Sequence, residues 1–231
     1  MGSITRSLSN NITTGGVILP AGITNSSVSA VTSFANASGG TLILLSTQTA
    51  SNSATISFTT GLDSTYDAYE FHFINIHASA NYAYFQFNGS TDSGSNYNVT
   101  KTTTFFETEH AESDAGTNLS YRTDLDLAQS TAVQKFNLGL GINNDDNLNG
   151  VLTIYSPSST TYVKHFIYCG NESYPDYTTQ SFVAGYMNTT SAVNAVRFNM
   201  SSGNIDDGII KLYGVKKSWC RLINIFAMLM V

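Results

Sequence analysis

The sequence predicts an all-β protein: a β-sandwich or jelly roll of about ten short antiparallel strands, preceded by an extended N-terminal arm. Three observations lead there. Charged residues make up 11% of the 231-residue chain, against about 25% in an ordinary soluble domain. Their place is taken by 29 Ser, 28 Thr and 22 Asn, together 79 of the 231, beside 18 Gly, 13 Tyr and 13 Phe. That vocabulary suits strands and turns and is poor in helix formers. Short alternating or apolar runs also recur along the chain, punctuated by Gly, Asn and Asp. One large all-β domain accounts for this length, which suffices to bury a sizeable core.

Residues 1–40 come first as a polar, glycine-punctuated stretch with one apolar patch, Val17-Ile18-Leu19, stopped by Pro20 and Gly22. Such a stretch carries too little apolar surface to offset its own ordering entropy. It is expected to be an anchoring arm, with Val17, Ile18 and Leu19 as assembly contacts. The β domain follows over 41–217. Thr41–Ser46 is a short buried run, and Ser53–Thr59 alternates Ala54, Ile56 and Phe58 against Thr55 and Ser57. Ala68–Ile76 and Tyr82–Phe87 are aromatic-rich strands, and Asn88-Gly89 supplies turn chemistry after the second. Glu107–Ala132 has charges and weak alternation, and reads as a long surface loop with at most one short strand, the kind of excursion that carries recognition. Phe136, Leu138, Leu140 and Ile142 alternate as a strand, and a polar turn over Asn143–Gly150 leads to the strand Val151–Tyr155. Further strands fall at Tyr162–Cys169, Ser181–Met187, Ala195–Met200 and Gly208–Val215.

The tail, 218–231, is apolar. Trp219, Leu222, Ile223, Phe226 and Met230 fall at helical spacing, but the run from Trp219 has 13 residues, where a bilayer span needs roughly 20. The expectation is therefore no membrane span, with Trp219, Leu222 and Phe226 as subunit contacts.

Charge removes further classes. Ten Lys+Arg against 16 Asp+Glu give a net charge of −6, whereas nucleic-acid binders carry a basic footprint. Lys216, Lys217 and Arg221 read as a solvated strand end. Cys169, in an apolar run, reads as a small core residue, and with the distant Cys220 it makes neither a disulfide framework nor a zinc site. Met1–Ser7 is polar, without a signal peptide's apolar region, and Arg6 breaks a myristoylation motif.

Motifs for catalysis are sparse. No nucleophile elbow, H-E-x-x-H or P-loop occurs, and Gly139-Leu140-Gly141 lies within a strand. His72 and His77 point to opposite faces of an ideal strand, so they and His110 and His165 read as structural. Asp145–Gly150 matches the opening of a calcium loop, but its closing Glu is replaced by Ser156, so it reads as a polar turn. Asp124 with Asp126, and Asp206-Asp207 in a turn before Gly208, are the acid pairs a glycosidase would need across a cleft. Better placed for recognition are Tyr82, Tyr97, Tyr174 and Tyr177, in or beside polar loops, where aromatic faces stack on sugar rings. No cofactor is expected.

Several stretches also resemble virion proteins of tailed bacteriophages, particularly those of marine and cyanobacterial hosts. They are SATISFTTGLDSTYDAYEFHFINI (53–76), FNGSTDSGSNY (87–97), VLTIYSPSS (151–159) and AVRFNMSSGNIDDGIIKLYGV (195–215), with NNITTGGVILPAGITNSS (10–27) similar to the starts of phage fibre proteins. The resemblance implies a non-enzymatic particle component, a tail fibre or spike subunit or a head decoration protein. It implies a homo-oligomer, often a trimer, docked onto other virion proteins and assembled in the host cytoplasm. No catalytic residue is carried over, and the tail after Lys217 departs from the pattern. A host-glycan-binding module is the alternative, and a polysaccharide depolymerase a third reading.

Overall fold

A computed structural model describes residues 41–173 and 176–216. The expected arm (1–40), the tail (218–231) and Tyr174 lie outside the described residues. Among the described residues there are twelve strands, all paired antiparallel, and no helix, hence none long and apolar enough to cross a membrane. In chain order they are β1 (Leu42–Thr49), β2 (Ile56–Phe58), β3 (Ala68–Ala78), β4 (Phe85–Ser90), β5 (Lys101–Ala111) and β6 (Thr117–Tyr121), then β7 (Gln134–Lys135), β8 (Leu148–Tyr155), β9 (Lys164–Ser173), β10 (Tyr177–Met187), β11 (Ala195–Met200) and β12 (Ile205–Val215). An eight-stranded sheet runs β1-β12-β3-β8-β9-β10-β5-β6, and a four-stranded sheet runs β2-β11-β4-β7.

The two sheets meet through aromatic rings. Alternation in β3 turns Tyr69, Phe71 and Phe73 inward, where Phe73 meets Phe85 and Phe198 of the smaller sheet at 5.1 Å each. Phe71 lies 5.2 Å from both Phe58 and Phe198. Phe136 stacks between Phe87 (4.9 Å) and Tyr168 of β9 (4.2 Å). Edge-to-face and offset pairs of this kind add about 0.5–1.5 kcal/mol each to plain burial.

Halfway along β3 the alternation slips. Asn75 adopts φ 51° and pushes out, so Ile76 and Ala78 resume the inward positions. The partner strands accommodate it with register shifts, and in β12 Gly208 sits at φ 124°, where a Cβ would come within 2.8–2.9 Å of Asn75 O and Ile76 Cα. This is a β-bulge. It corrects the expectation for His72 and His77: both occupy outward positions, because one inserted residue reverses the phase between them. Asp206 and Asp207 likewise belong to the bulged start of β12 and not to a turn.

Five other expectations change. Thr41–Ser46 is not a buried run: it opens β1 at the edge of the large sheet, with Leu42, Leu44 and Leu45 exposed. Asn88 and Gly89 lie within buried β4, which continues to Ser90. Asn88 is held in the strand because its Oδ1 accepts from Lys101 Nζ and its Nδ2 donates to the Thr131 carbonyl. Phe136–Ile142 is not a strand: only β7 and an Ala83–Leu140 bridge pair there, with Gly139 at φ 141° breaking the run. Glu107–Ala132 is partly a hairpin, the end of β5 paired with β6, and only 122–132 is loop. Cys169 is exposed, because Phe166 and Tyr168 take the inward phase of β9.

Candidate functional surfaces

Strands β8, β9, β10, β5 and β6 form one side of the large sheet, and their charged residues lie on its inner face beside Phe105, Phe166, Tyr168 and Val183. These strands carry five Asp, Glu, Lys or Arg residues: Lys101, Glu107, Glu109, Lys164 and Glu172. All five alternate with the inward positions, and all but the half-buried Glu109 are buried. The outward positions hold aromatic, aliphatic, hydroxyl and amide side chains with two histidines. Register sets them in rows across the strands: Thr153–Ile167–Ala184–Thr104, and beside it Val151–Cys169–Phe182–Phe106–Tyr121. Phe106 and Phe182 stack at 4.8 Å with 12° between planes, although Phe106 is 41% exposed, Ile167 50% and Tyr121 51%. These apolar side chains interrupt a face otherwise built of Thr, Asn, Gln and His, where an antiparallel sheet usually meets water with polar residues.

Next to that ridge the face is hollow. Ala184 and Gly185 leave a depression of about 530 Å³ between Thr102 and Thr104 on β5 and His165 and Ile167 on β9, closed at one end by Tyr186. Its hydroxyls are already engaged. Thr102 Oγ1 accepts from the backbone and side-chain nitrogens of Gln129 (3.1 and 2.7 Å), Thr104 Oγ1 donates to the Ala184 carbonyl, and Tyr186 OH accepts from Gln129 Nε2.

The inner side of the same strands holds a polar cluster covered by the 122–140 segment. Arg122 donates to Glu107 Oε1 at 2.9 Å and grips Asp124 through its other nitrogens. Glu172 Oε1 accepts the Leu138 N–H at 2.7 Å. Glu107 Oε2, Glu172 Oε2, Tyr168 OH and Ser181 Oγ have no hydrogen-bond partner among the described residues. The register brings them to one neighbourhood: Ser181 faces Glu107 across one ladder and Gly170 across the other, and Tyr168 and Glu172 flank Gly170. A Cβ on Gly170 would collide with the Tyr168 hydroxyl, which therefore lies over that glycine. Burial, followed by the charges of Glu107 and Glu109, pushes the Glu172 carboxyl up to about 8. Burial also raises Glu107 against the opposing pull of Arg122. At the far end of β5, Lys101 is enclosed with only Asn88 Oδ1 and the Val99 carbonyl as acceptors, and burial pushes it down to about 7.

The expected tyrosines do not form one site. Tyr82 is 67% exposed in the turn before β4, whereas Tyr97 follows that strand in the chain and packs on Arg197 of β11. The Tyr97 ring is covered by the Arg197 guanidinium at 4.3 Å. Tyr177 lines a separate cleft with Ala111, Glu112, Ser113 and Asp176. In the calcium-like hexad, Asp146 closes a turn with Asn143, and Asn149 Oδ1 accepts the Asn75 N–H of the bulge. Those oxygens organise the turn into β8. Asp124 is held by Arg122 and Asp126 accepts from Tyr121 OH, so that pair does not converge; Asp206 and Asp207 both line a depression of about 390 Å³ with Asn75, His77, Asn144 and Asn147, where Asp206 faces His77 Nδ1 at 3.3 Å.

The inward acids were missed because TTTFFETEH and KHFIYCGNES alternate in both phases, with polar and apolar residues on each. The only available signal was that Phe105, Phe166 and Tyr168 outweigh the exposed set in size. Comparison with known proteins found no matching family model and no curated protein or solved structure with significant similarity.

Proposed function

We propose that this chain is a structural subunit of a tailed-phage particle, of tail fibre, spike or head-decoration type, built on a jelly roll. Eight of the strands, taken in chain order as β1, β2, β3, β4, β7, β8, β11 and β12, support the fold reading. The first, eighth, third and sixth lie side by side in one sheet and the second, seventh, fourth and fifth in the other. That is the order of two interlocked Greek keys, an architecture shared by viral capsid and lectin domains. The insertions β5-β6 and β9-β10 extend the first sheet. Fold alone does not select a function.

The observation that carries the proposal is the outward side of that extension, whose strands point no Asp, Glu, Lys or Arg outward and leave the rings of Phe106 and Tyr121 exposed. The arm and tail would add contacts to other virion proteins. The test is the solution mass of the full-length chain at micromolar concentration. A stable homo-oligomer, the trimer of fibres and spikes included, is the expected result, and a monomer would overturn the assembly reading.

The Tyr177 cleft favours a second reading, host-glycan recognition. An exposed ring beside Glu112, Ser113 and Asp176 pairs a stacking surface with hydroxyl-accepting groups. On this reading Tyr177→Ala lowers binding on a glycan array by about ten-fold or more, and an unchanged profile removes it.

A further inference from the structure

We infer that the outward face of β8, β9, β10, β5 and β6 packs against the same face of a second copy of this chain, about a two-fold axis. The inference rests on the assembly reading and names the surface and the partner.

Charge argues for a second copy. The chain carries −6, so two copies repel wherever their acidic surfaces approach. On these five strands every Asp, Glu, Lys and Arg points inward, and carboxylates reach this face only from the flanking loops at its β5–β6 edge, Asp114 on His110 and Asp126 on the Tyr121 hydroxyl. An anionic lipid surface or an acidic partner would find no Lys or Arg on the outward side of these strands. A saccharide would find Thr102 Oγ1 already accepting twice from Gln129 and the Thr104 hydroxyl already donated to the Ala184 carbonyl.

Size and shape agree. Five strands about 4.8 Å apart, with four outward rows about 6.8 Å apart, project a patch on the order of 400 Å². Side chains standing proud of the sheet raise its accessible area toward the ~800 Å² that each partner contributes to a standard interface. The stacked Phe106–Phe182 ridge stands one row from the 530 Å³ hollow over Ala184 and Gly185. An isologous contact needs a surface complementary to itself. A ridge and a hollow side by side satisfy that, because rotation by 180° between them seats each ridge in the other copy's hollow.

The pairing is tested with the full chain and two variants, Ile167→Lys and Ala184→Arg, each checked for an unchanged circular dichroism spectrum. Light scattering gives the mass, and peptide mass spectrometry follows maleimide alkylation of the native Cys169, which lies in the ridge row. The expected result is an even-numbered oligomer in which Cys169 reacts several-fold more slowly than in the variants, with both variants halved in mass. An odd-numbered oligomer, or one whose mass and Cys169 reactivity both variants leave unchanged, overturns this pairing while the assembly reading stands. A monomeric wild-type chain overturns both.

Discussion

Replacing Glu172 by Gln tests the buried cluster through a pH dependence whose sign and slope are set in advance. Gln keeps the shape and the acceptor for the Leu138 N–H, and it puts an amide in place of the unpartnered Oε2 beside the unpaired Tyr168 and Ser181 hydroxyls. Burial pushes the wild-type carboxyl up to about 8 in the folded protein, against 4.5 for a free glutamate. Between those values the folded state holds a proton that the unfolded state has released, so stability falls as pH rises through the window. The fall is about 1.4 kcal/mol per pH unit, or about 3 kcal/mol by pH 7. Gln has no such titration. In urea unfolding followed by circular dichroism at fixed protein concentration, the stability of Glu172→Gln relative to wild type should therefore rise steadily from pH 5 to 8 and level off above. That change is a large part of the 5–15 kcal/mol typical of a domain. A difference constant to within about 0.5 kcal/mol over that range would mean that Glu172 is solvated or paired in solution, and the buried-acid argument would fail.

Lys101→Met should show the opposite sign. The folded ammonium titrates at about 7 against 10.5, so the cost of burying it is complete below pH 7. The advantage of Met should shrink by about 1.4 kcal/mol per unit from pH 7 to 10.5; a pH-independent difference would refute the assignment. Phe136→Ala removes a fully buried ring stacked on both Phe87 and Tyr168, and should cost about 3–5 kcal/mol in the same assay. A loss below about 1 kcal/mol would mean that the aromatic stack collapses to fill the space.

What could be read from the sequence depended on how far a local pattern determines a long-range partner. The strands β3 and β11 were legible because one phase of each is larger and more apolar, as in Tyr69, Phe71 and Phe73 against Glu70 and His72, and β8 and β12 because turn residues bound short apolar runs. The bulge was not, because Asn75 gives no sign that Gly208, more than a hundred residues later, supplies the glycine its protrusion needs. Phe136–Ile142 misled for a related reason. Its apolar spacing is real, and Phe136 and Leu140 are buried, but Gly139 breaks the ladder after β7, so the residues pack without forming a strand. Among the site residues, Tyr82 and Tyr97 lie in loops and Tyr177 opens β10, and nothing local could show that β4 separates Tyr82 from Tyr97.

The buried charges and exposed rings of the extension link fold and function most directly. A sheet can bury Lys101, Glu107, Lys164 and Glu172 only at a cost in desolvation. The same strands leave the rings of Phe106 and Tyr121 in water, forgoing the roughly 25 cal/mol per Å² that burying them would return. Shifting β5 or β9 by a residue would turn its buried charges outward, but it would put Phe105, or Phe166 and Tyr168, in water. The register is held across all five strands, by the Arg122 grip on Glu107 and the Leu138 bond to Glu172 on the inner side, and by continuous ladders to the core strands. On the proposed pairing, the outward cost exists only in the separated chain and is recovered when the two faces meet. Association would then act as the last step of core formation for these strands, and raising the protein concentration should raise the unfolding midpoint.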